Sequence, residues 1–378
     1  MSNIYVVLHS RFPSEKAASL FAAKNCESFA YKGIKVVLLV PRRFGRAKGD
    51  PYKYYSVKNN FKIVYLPTVD LLPFKVFGKF VFYLSYIIFS ICCFFYLFYK
   101  TKKDDVIYSN EGLPLLLASI YFKNIFYELH DFPEGNLWYF KKIFSRSKWI
   151  LIHNKWKVNK FNEIFKLDAR KIIFMPNAVD ISVFNVSIAK EEARIKLGLP
   201  LNKKIIVYTG HLYDWKGVNT LAQSAKFLPE DYLIIFIGGT EDDILSFKTR
   251  YIDLKNIIIQ GHKHHSEIPI WLKAADVLSL PNTAKEKISK YYTSPMKLFE
   301  YMASQRPIVA SDIPSITEII NSNNSVLVKP DDPADLARGL FEVVENLELA
   351  DILSKEAFKE VQKYTWENRA DGIINFMK

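Results

Sequence analysis

Short runs of β-branched and aliphatic residues recur along this chain at intervals long enough to hold a helix between them, and that recurrence leaves few folds open. Residues 4–8, 35–40, 63–66, 106–108, 125–128, 149–152 and 171–174 are such runs in the first half; 204–209, 232–237, 257–260, 274–281 and 307–310 continue the series. Apolar runs that do not alternate with polar residues suit strands buried on both faces, as in a parallel sheet covered by helices. The helical pattern after the first strand, opened by Phe12-Pro13-Ser14-Glu15-Lys16-Ala17-Ala18, reaches about Tyr31 and is stopped by Lys32-Gly33. Another, over 190–197, ends at Gly198. The alternation predicts an α/β fold of doubly wound layers, and 378 residues are enough for two domains.

The charge is uneven. Of a net +13, residues 1–180 carry 28 Lys+Arg against 13 Asp+Glu, while 181–378 carry 24 against 26. A basic half points to nucleic acid, an anionic membrane or an acidic substrate. No nucleic-acid-binding signature accompanies it, so no nucleic-acid partner is expected. Cys26, Cys92 and Cys93 form neither a metal-ligand spacing nor a disulfide framework, which fits a reducing compartment. The start of the chain runs directly into the first apolar run without the basic and small-residue pattern of a signal peptide, so a cytoplasmic protein is expected.

Twenty uncharged residues from Phe80 to Tyr99 are flanked by Lys75 and Lys79 on one side and by Lys100, Lys102 and Lys103 on the other. Their length suffices for a membrane span. A single crossing would, however, part the strand at 106–108 from strands 4–8, 35–40 and 63–66, and members of one sheet must share a compartment. Two alternatives remain: a crossover helix buried by protein, or a helix whose outer face meets lipid. Aromatic residues fall all round the helix, more than one buried stripe needs, and lysines at its ends suit the headgroup layer. The expectation is peripheral, monotopic association of the 75–103 segment and the basic first domain with an anionic membrane surface, on the inner face of the cell membrane.

The stretch Thr293-Ser294-Pro295-Met296-Lys297-Leu298-Phe299-Glu300-Tyr301-Met302-Ala303 reads as a turn handing over to a helix, followed by the apolar run at 307–310. Free backbone N–H groups and the positive end of the helix dipole then face one point, where a diphosphate is attracted. Glu300, expected about two turns into the helix, can accept hydrogen bonds from ribose hydroxyls. Taken alone, the pattern also fits a Pro-started amphipathic helix with a solvated glutamate. In order and composition the stretch resembles the donor-site signature of retaining glycosyltransferases of family 4, which have the GT-B fold. The resemblance implies two facing Rossmann-like domains with parallel sheets and a C-terminal helix crossing back. Pro176-Asn177-Ala178-Val179-Asp180 resembles the family's passage between domains, and Tyr364-Thr365-Trp366-Glu367-Asn368-Arg369 its returning helix. The domains implied are 1–182, on the acceptor and membrane side, 183–363, binding the nucleotide sugar, and the helix 364–378. Of the family's Glu-x7-Glu pair, Glu300 matches the second member and Tyr292 stands in the first place, which leaves the sugar's identity open.

Gly210-His211-Leu212-Tyr213-Asp214-Trp215-Lys216-Gly217-Val218 resembles the family's Gly-Arg-Leu loop with Lys-Gly-Val at its end. It implies that Lys216 stabilises the leaving phosphate. His211 holds the place of an arginine, so the charge there depends on protonation. Gly238 and Gly239 follow a strand and allow a ligand close to backbone, or simply make a turn. His262 would lie near the base. His264 and His265 lack further spaced ligands and read as a solvated loop rather than a metal pair. In the first domain His130, within Tyr127-Glu128-Leu129-His130-Asp131, matches a family histidine that meets the donor sugar; Asp131 is expected to cap the next helix. Ser10 and the 13–16 segment replace a Gly-Gly loop, so Glu15 and Lys16 are candidates to meet the acceptor. The candidate site is thus His130 and Lys216 as catalytic groups, with His211, Gly238, Gly239, His262, Ser294, Pro295, Met296, Lys297, Leu298 and Glu300 binding substrate. No metal or other cofactor is expected.

Three readings follow. The first is a retaining, metal-independent hexosyltransferase that uses a UDP- or GDP-sugar and a lipid-linked saccharide acceptor in surface polysaccharide assembly. The others are a nucleotide-sugar epimerase on the same plan, and an inactive membrane-associated scaffold.

Overall fold

The computed structural model describes residues 3–44, 47–70 and 78–378; Lys75 lies outside them. The chain forms two compact units, one of residues 1–153, 157–175 and 366–378, the other of 154–156 and 176–365.

The first unit holds seven strands, β1 (Asn3–Val7), β2 (Lys35–Pro41), β3 (Lys62–Leu66), β4 (Val106–Ser109), β5 (Ile125–Leu129), β6 (Trp149–Ile152) and β7 (Ile172–Phe174), in the order β3-β2-β1-β4-β5-β6-β7. Every pair is parallel. Strands β4, β5 and β6 are buried at every residue, as their unbroken apolar runs require. The first helix begins at Ala17, within the opening segment read from the sequence, and runs to Tyr31. The C-terminal helix Trp366–Met377 packs into this unit, with Ala370, Ile373 and Met377 in its core.

The apolar segment is one helix, Gly78–Lys100, between β3 and β4. Val81, Ser85, Phe89, Cys93 and Leu97, at intervals of four, are buried. Thr68 Oγ1, just after β3, donates to the Ser85 carbonyl at 2.9 Å, and Tyr5 Oη, on β1, to the Lys100 carbonyl at 2.9 Å.

The second unit holds β8 (Lys204–Thr209), β9 (Tyr232–Ile237), β10 (Ile257–Gly261), β11 (Val277–Leu280), β12 (Ile308–Ser311) and β13 (Val326–Val328), ordered β10-β9-β8-β11-β12-β13 and parallel throughout. Strand β13 has only three residues, with an apolar signal too short to stand out in the sequence. In each unit the strand order reverses beside the first strand, at β1/β4 and at β8/β11. Open α/β sheets bind ligands at such switch points, beyond the carboxyl ends of the strands.

Candidate nucleotide-sugar site

Gly210 to Gly217 follow β8, and Pro281-Asn282 follow β11, so the two loops meet at the switch point of the second unit. Their contact is tight. Gly217 has φ +73°, and a Cβ there would stand 1.7 Å from the Pro281 carbonyl oxygen. No other residue type fits, and the requirement holds Lys216 in place beside it.

A methyl group on Gly210 would lie 3.5 Å from Lys297 Nζ and 3.7 Å from Lys216 Nζ. The two ammonium groups therefore converge on one glycine. Lys297 donates to the Thr209 carbonyl at 3.0 Å and stands 3.7 Å from the centre of the Tyr208 ring; Lys216 lies 5.2 Å from the Trp215 ring and 5.6 Å from that of Tyr213. Among the described residues neither pairs with a carboxylate within ion-pair distance. Burial lowers the Lys216 pKa to about 8. Burial, with the charge of Lys216 adding to it and that of Glu300 opposing, holds Lys297 well below the ordinary lysine value. Two cations held together without a counter-charge are poised for an anion.

Lys297 lies in the first turn of the helix Met296–Ala303, whose N-cap, Pro295, supplies no side-chain hydrogen bond. Two asparagines hold the preceding loop by its carbonyls. Asn154 Nδ2 donates to Tyr291 O at 2.8 Å and to Tyr292 O at 3.3 Å, and Asn177 Nδ2 donates to Ser294 O. Trp156 stacks on Tyr291 with ring centres 4.7 Å apart. The Leu298 amide donates to the Pro295 carbonyl at 3.0 Å, and the first amides of a helix have no partner within it. The Leu298 side chain is fully buried.

Glu300 is the fifth residue of this helix, little more than one turn in rather than two. It is buried, and its Oε1 lies 2.9 Å from His265 Nε2. His265 is not on a solvated loop: it is half-buried, with Phe184 edge-on at 5.3 Å. The pairing joins residues 35 apart in sequence, and no local pattern marked it. His211 stacks flat on Tyr213, centres 4.9 Å apart at 3°. A Cβ at Gly238 would come within 2.4 Å of the Gly210 carbonyl oxygen, so this glycine serves loop against loop. Gly239 faces Leu212 and Ile244. His262 is exposed, its ring 6.1 Å from that of His264.

His130 belongs to the first unit, at the end of β5, in a buried ionic cluster. Its Nε2 lies 3.4 Å from Glu128 Oε1, and His153 Nε2 lies 3.0 Å from the same oxygen. Arg369, from the C-terminal helix, donates to that oxygen as well and reaches Asn25 Oδ1 at 2.8 Å. Burial alone would raise the Glu128 pKa, but Arg369 and the two histidines hold it well below the usual carboxylate range. Glu128, His130 and His153 offer ligand atoms within 4.8 Å of one another. Asp131 does not cap the next helix: Leu137–Arg146 begins after Asn136.

Residues 189–360 match the family described as glycosyl transferases group 1. The chain is similar to TuaC of Bacillus subtilis, a glycosyltransferase assigned to teichuronic acid biosynthesis, at 26% identity over 47% of this chain and 43% of that protein. It is also similar to the UDP-Gal:alpha-D-GlcNAc-diphosphoundecaprenol alpha-1,3-galactosyltransferase of Escherichia coli, at 27% identity over 59% of this chain and 58% of that one. The chain thus spans about half the length of these curated relatives. In structure it is similar to Anabaena HepE, solved in complex with UDP and glucose, with a TM-score of 0.75, 16% identity and 99% of each chain covered. The fold is GT-B. The second unit thus carries a segment that matches the glycosyl transferases group 1 family.

Proposed function

We propose that this protein is a retaining hexosyltransferase that moves a hexose or hexose derivative from a nucleoside-diphosphate sugar to a lipid-linked saccharide in surface polysaccharide assembly. The observation that carries the reading is the convergence of Lys216 and Lys297 on Gly210, beside a helix start without a side-chain cap. As the bond from the anomeric carbon to the diphosphate breaks, negative charge grows on the leaving oxygen. The two lysines, whose protonated forms an arriving anion favours, and the start of the helix stabilise that charge more in the transition state than in the ground state. They meet the electrostatic need without a metal. A leaving phosphate so held accepts the proton of the attacking hydroxyl on the same face, which retains configuration and requires no protein base.

Glu300 takes the ribose hydroxyls on the oxygen that His265 leaves open. UDP is favoured over GDP because the galactosyltransferase relative uses UDP-Gal and an acceptor on diphosphoundecaprenol. The same relative supports the lipid-linked acceptor.

The test is incubation of the protein with UDP- and GDP-sugars and a membrane lipid extract. Release of free nucleoside diphosphate together with a glycosylated lipid is the expected outcome. An epimerised donor without transfer would move the assignment to an epimerase, and nucleotide binding without turnover to a scaffold.

A further inference from the structure

The helix Gly78–Lys100 has a second apolar face. Phe80, Tyr83, Ile87, Ile91, Phe95 and Phe98 are 43–69% exposed and recur every three or four residues, a single stripe along the outside of the helix. At 1.5 Å per residue the stripe is about 27 Å long. It widens at one end, where Phe98 meets Tyr121 with ring centres 4.9 Å apart, and Tyr99, Ile120 and Tyr121 are each at least 60% exposed. If a large side chain presents roughly 150–250 Å² when free, the stripe exposes on the order of 600 Å² or more, above what a soluble monomer leaves uncovered without use.

The charges around it select the occupant. No acidic residue lies between Gly78 and Lys100, while Lys79, Lys100, Lys102, Lys103 and Lys123 are exposed around its two ends. A second copy docked on this stripe would bring lysine against lysine, whether the two helices ran parallel or antiparallel. An anionic lipid surface complements all of these lysines together, with the aromatic side chains at headgroup depth. The helix cannot cross the bilayer, because its inner stripe, Val81 to Leu97, is buried within the unit and the strands before and after it, β3 and β4, belong to one sheet.

We propose that the first unit docks on an anionic bilayer with the helix Gly78–Lys100 lying flat, its outer stripe inserted and the lysines at its ends against lipid phosphates. The purpose of such docking rests on the lipid-linked acceptor proposed above; its test does not, since no sugar is involved. The full chain is floated with vesicles of phosphatidylcholine alone and with vesicles containing roughly a third phosphatidylglycerol. Flotation with the anionic vesicles only, weakening as salt rises, is expected. A Tyr83→Ser/Ile87→Ser/Phe95→Ser variant should lose at least ~10-fold in vesicle affinity. So should Lys100→Glu/Lys102→Glu/Lys103→Glu, which leaves the apolar face whole and guards against misfolding of the first variant. Leu245→Ser/Ile252→Ser, removing exposed apolar residues of the second unit, should float as the parent does. The proposal is overturned if the parent stays unbound, or if the stripe variant floats equally well. It is equally overturned if light scattering shows a dimer that the stripe variant dissolves, or if carbonate fails to strip the chain from the vesicles. Any of these leaves the glycosyl-transfer assay unaffected, so the two readings fail separately.

Discussion

At Lys216 burial works against the charge that a leaving phosphate calls for. Burial places its pKa at about 8, so the ammonium is present below that value and lost as pH rises through it. The expected consequence is a kcat/KM with an alkaline limb near pH 8 in the unliganded enzyme. Lys216→Arg should move that limb out of range even if it turns over more slowly, because a guanidinium does not deprotonate there. Lys216→Ala should lower kcat by about 10²–10³ in an assay of nucleoside diphosphate release; an unchanged rate would remove this residue from the leaving-group site. His265 acts through Glu300. His265→Ala should raise the donor KM several-fold with kcat nearly kept, and Glu300→Ala should raise it further, measured by nucleotide titration.

The loops after β8 and β11 behave as one element because each fills the other's space. Gly217→Ala puts a methyl group into the Pro281 carbonyl at a backbone angle that side chains disfavour, so the loops must part. A loss of at least ~2–4 kcal/mol in unfolding free energy is expected, with weaker nucleotide binding in whatever remains folded. Asn154→Ala should be milder, since it frees the Tyr291 and Tyr292 carbonyls without a clash. Its expected sign is weaker donor binding, with thermal stability lowered by about 1 kcal/mol per lost hydrogen bond. The strands were readable because a doubly buried strand must be apolar throughout; β13 escaped because three residues do not make a pattern. The Lys216 and Met296–Ala303 segments were legible as motifs. What joins them, the contact of Gly217 with Pro281 and the asparagine clasp, is written in residues far apart, and no window along the chain contains both sides.

At the scale of the molecule, the end of the chain completes the unit in which it began. Arg369 lies 241 positions from Glu128, yet the two share a buried ion pair. Arg369→Met would strand the carboxylate and should cost ~3–5 kcal/mol in chemical unfolding, with Glu128→Gln in the same chain recovering part of it. The sign with pH follows from the depressed Glu128 pKa: the pair stabilises above the ordinary carboxylate range and loses its contribution as pH falls. The deficit of the variant should therefore be largest near neutrality and shrink on acidification. By itself the sequence determined the parallel α/β layers, the basic first half and the glycine- and lysine-bearing loops, because burial, charge and turn geometry are local demands on residue type. Only the tertiary structure decided which face of the helix Gly78–Lys100 stays bare and that Lys216 meets Lys297. It alone paired Glu300 with His265. Those outcomes depend on which distant surfaces come to share one space, and packing settles that across the whole chain at once.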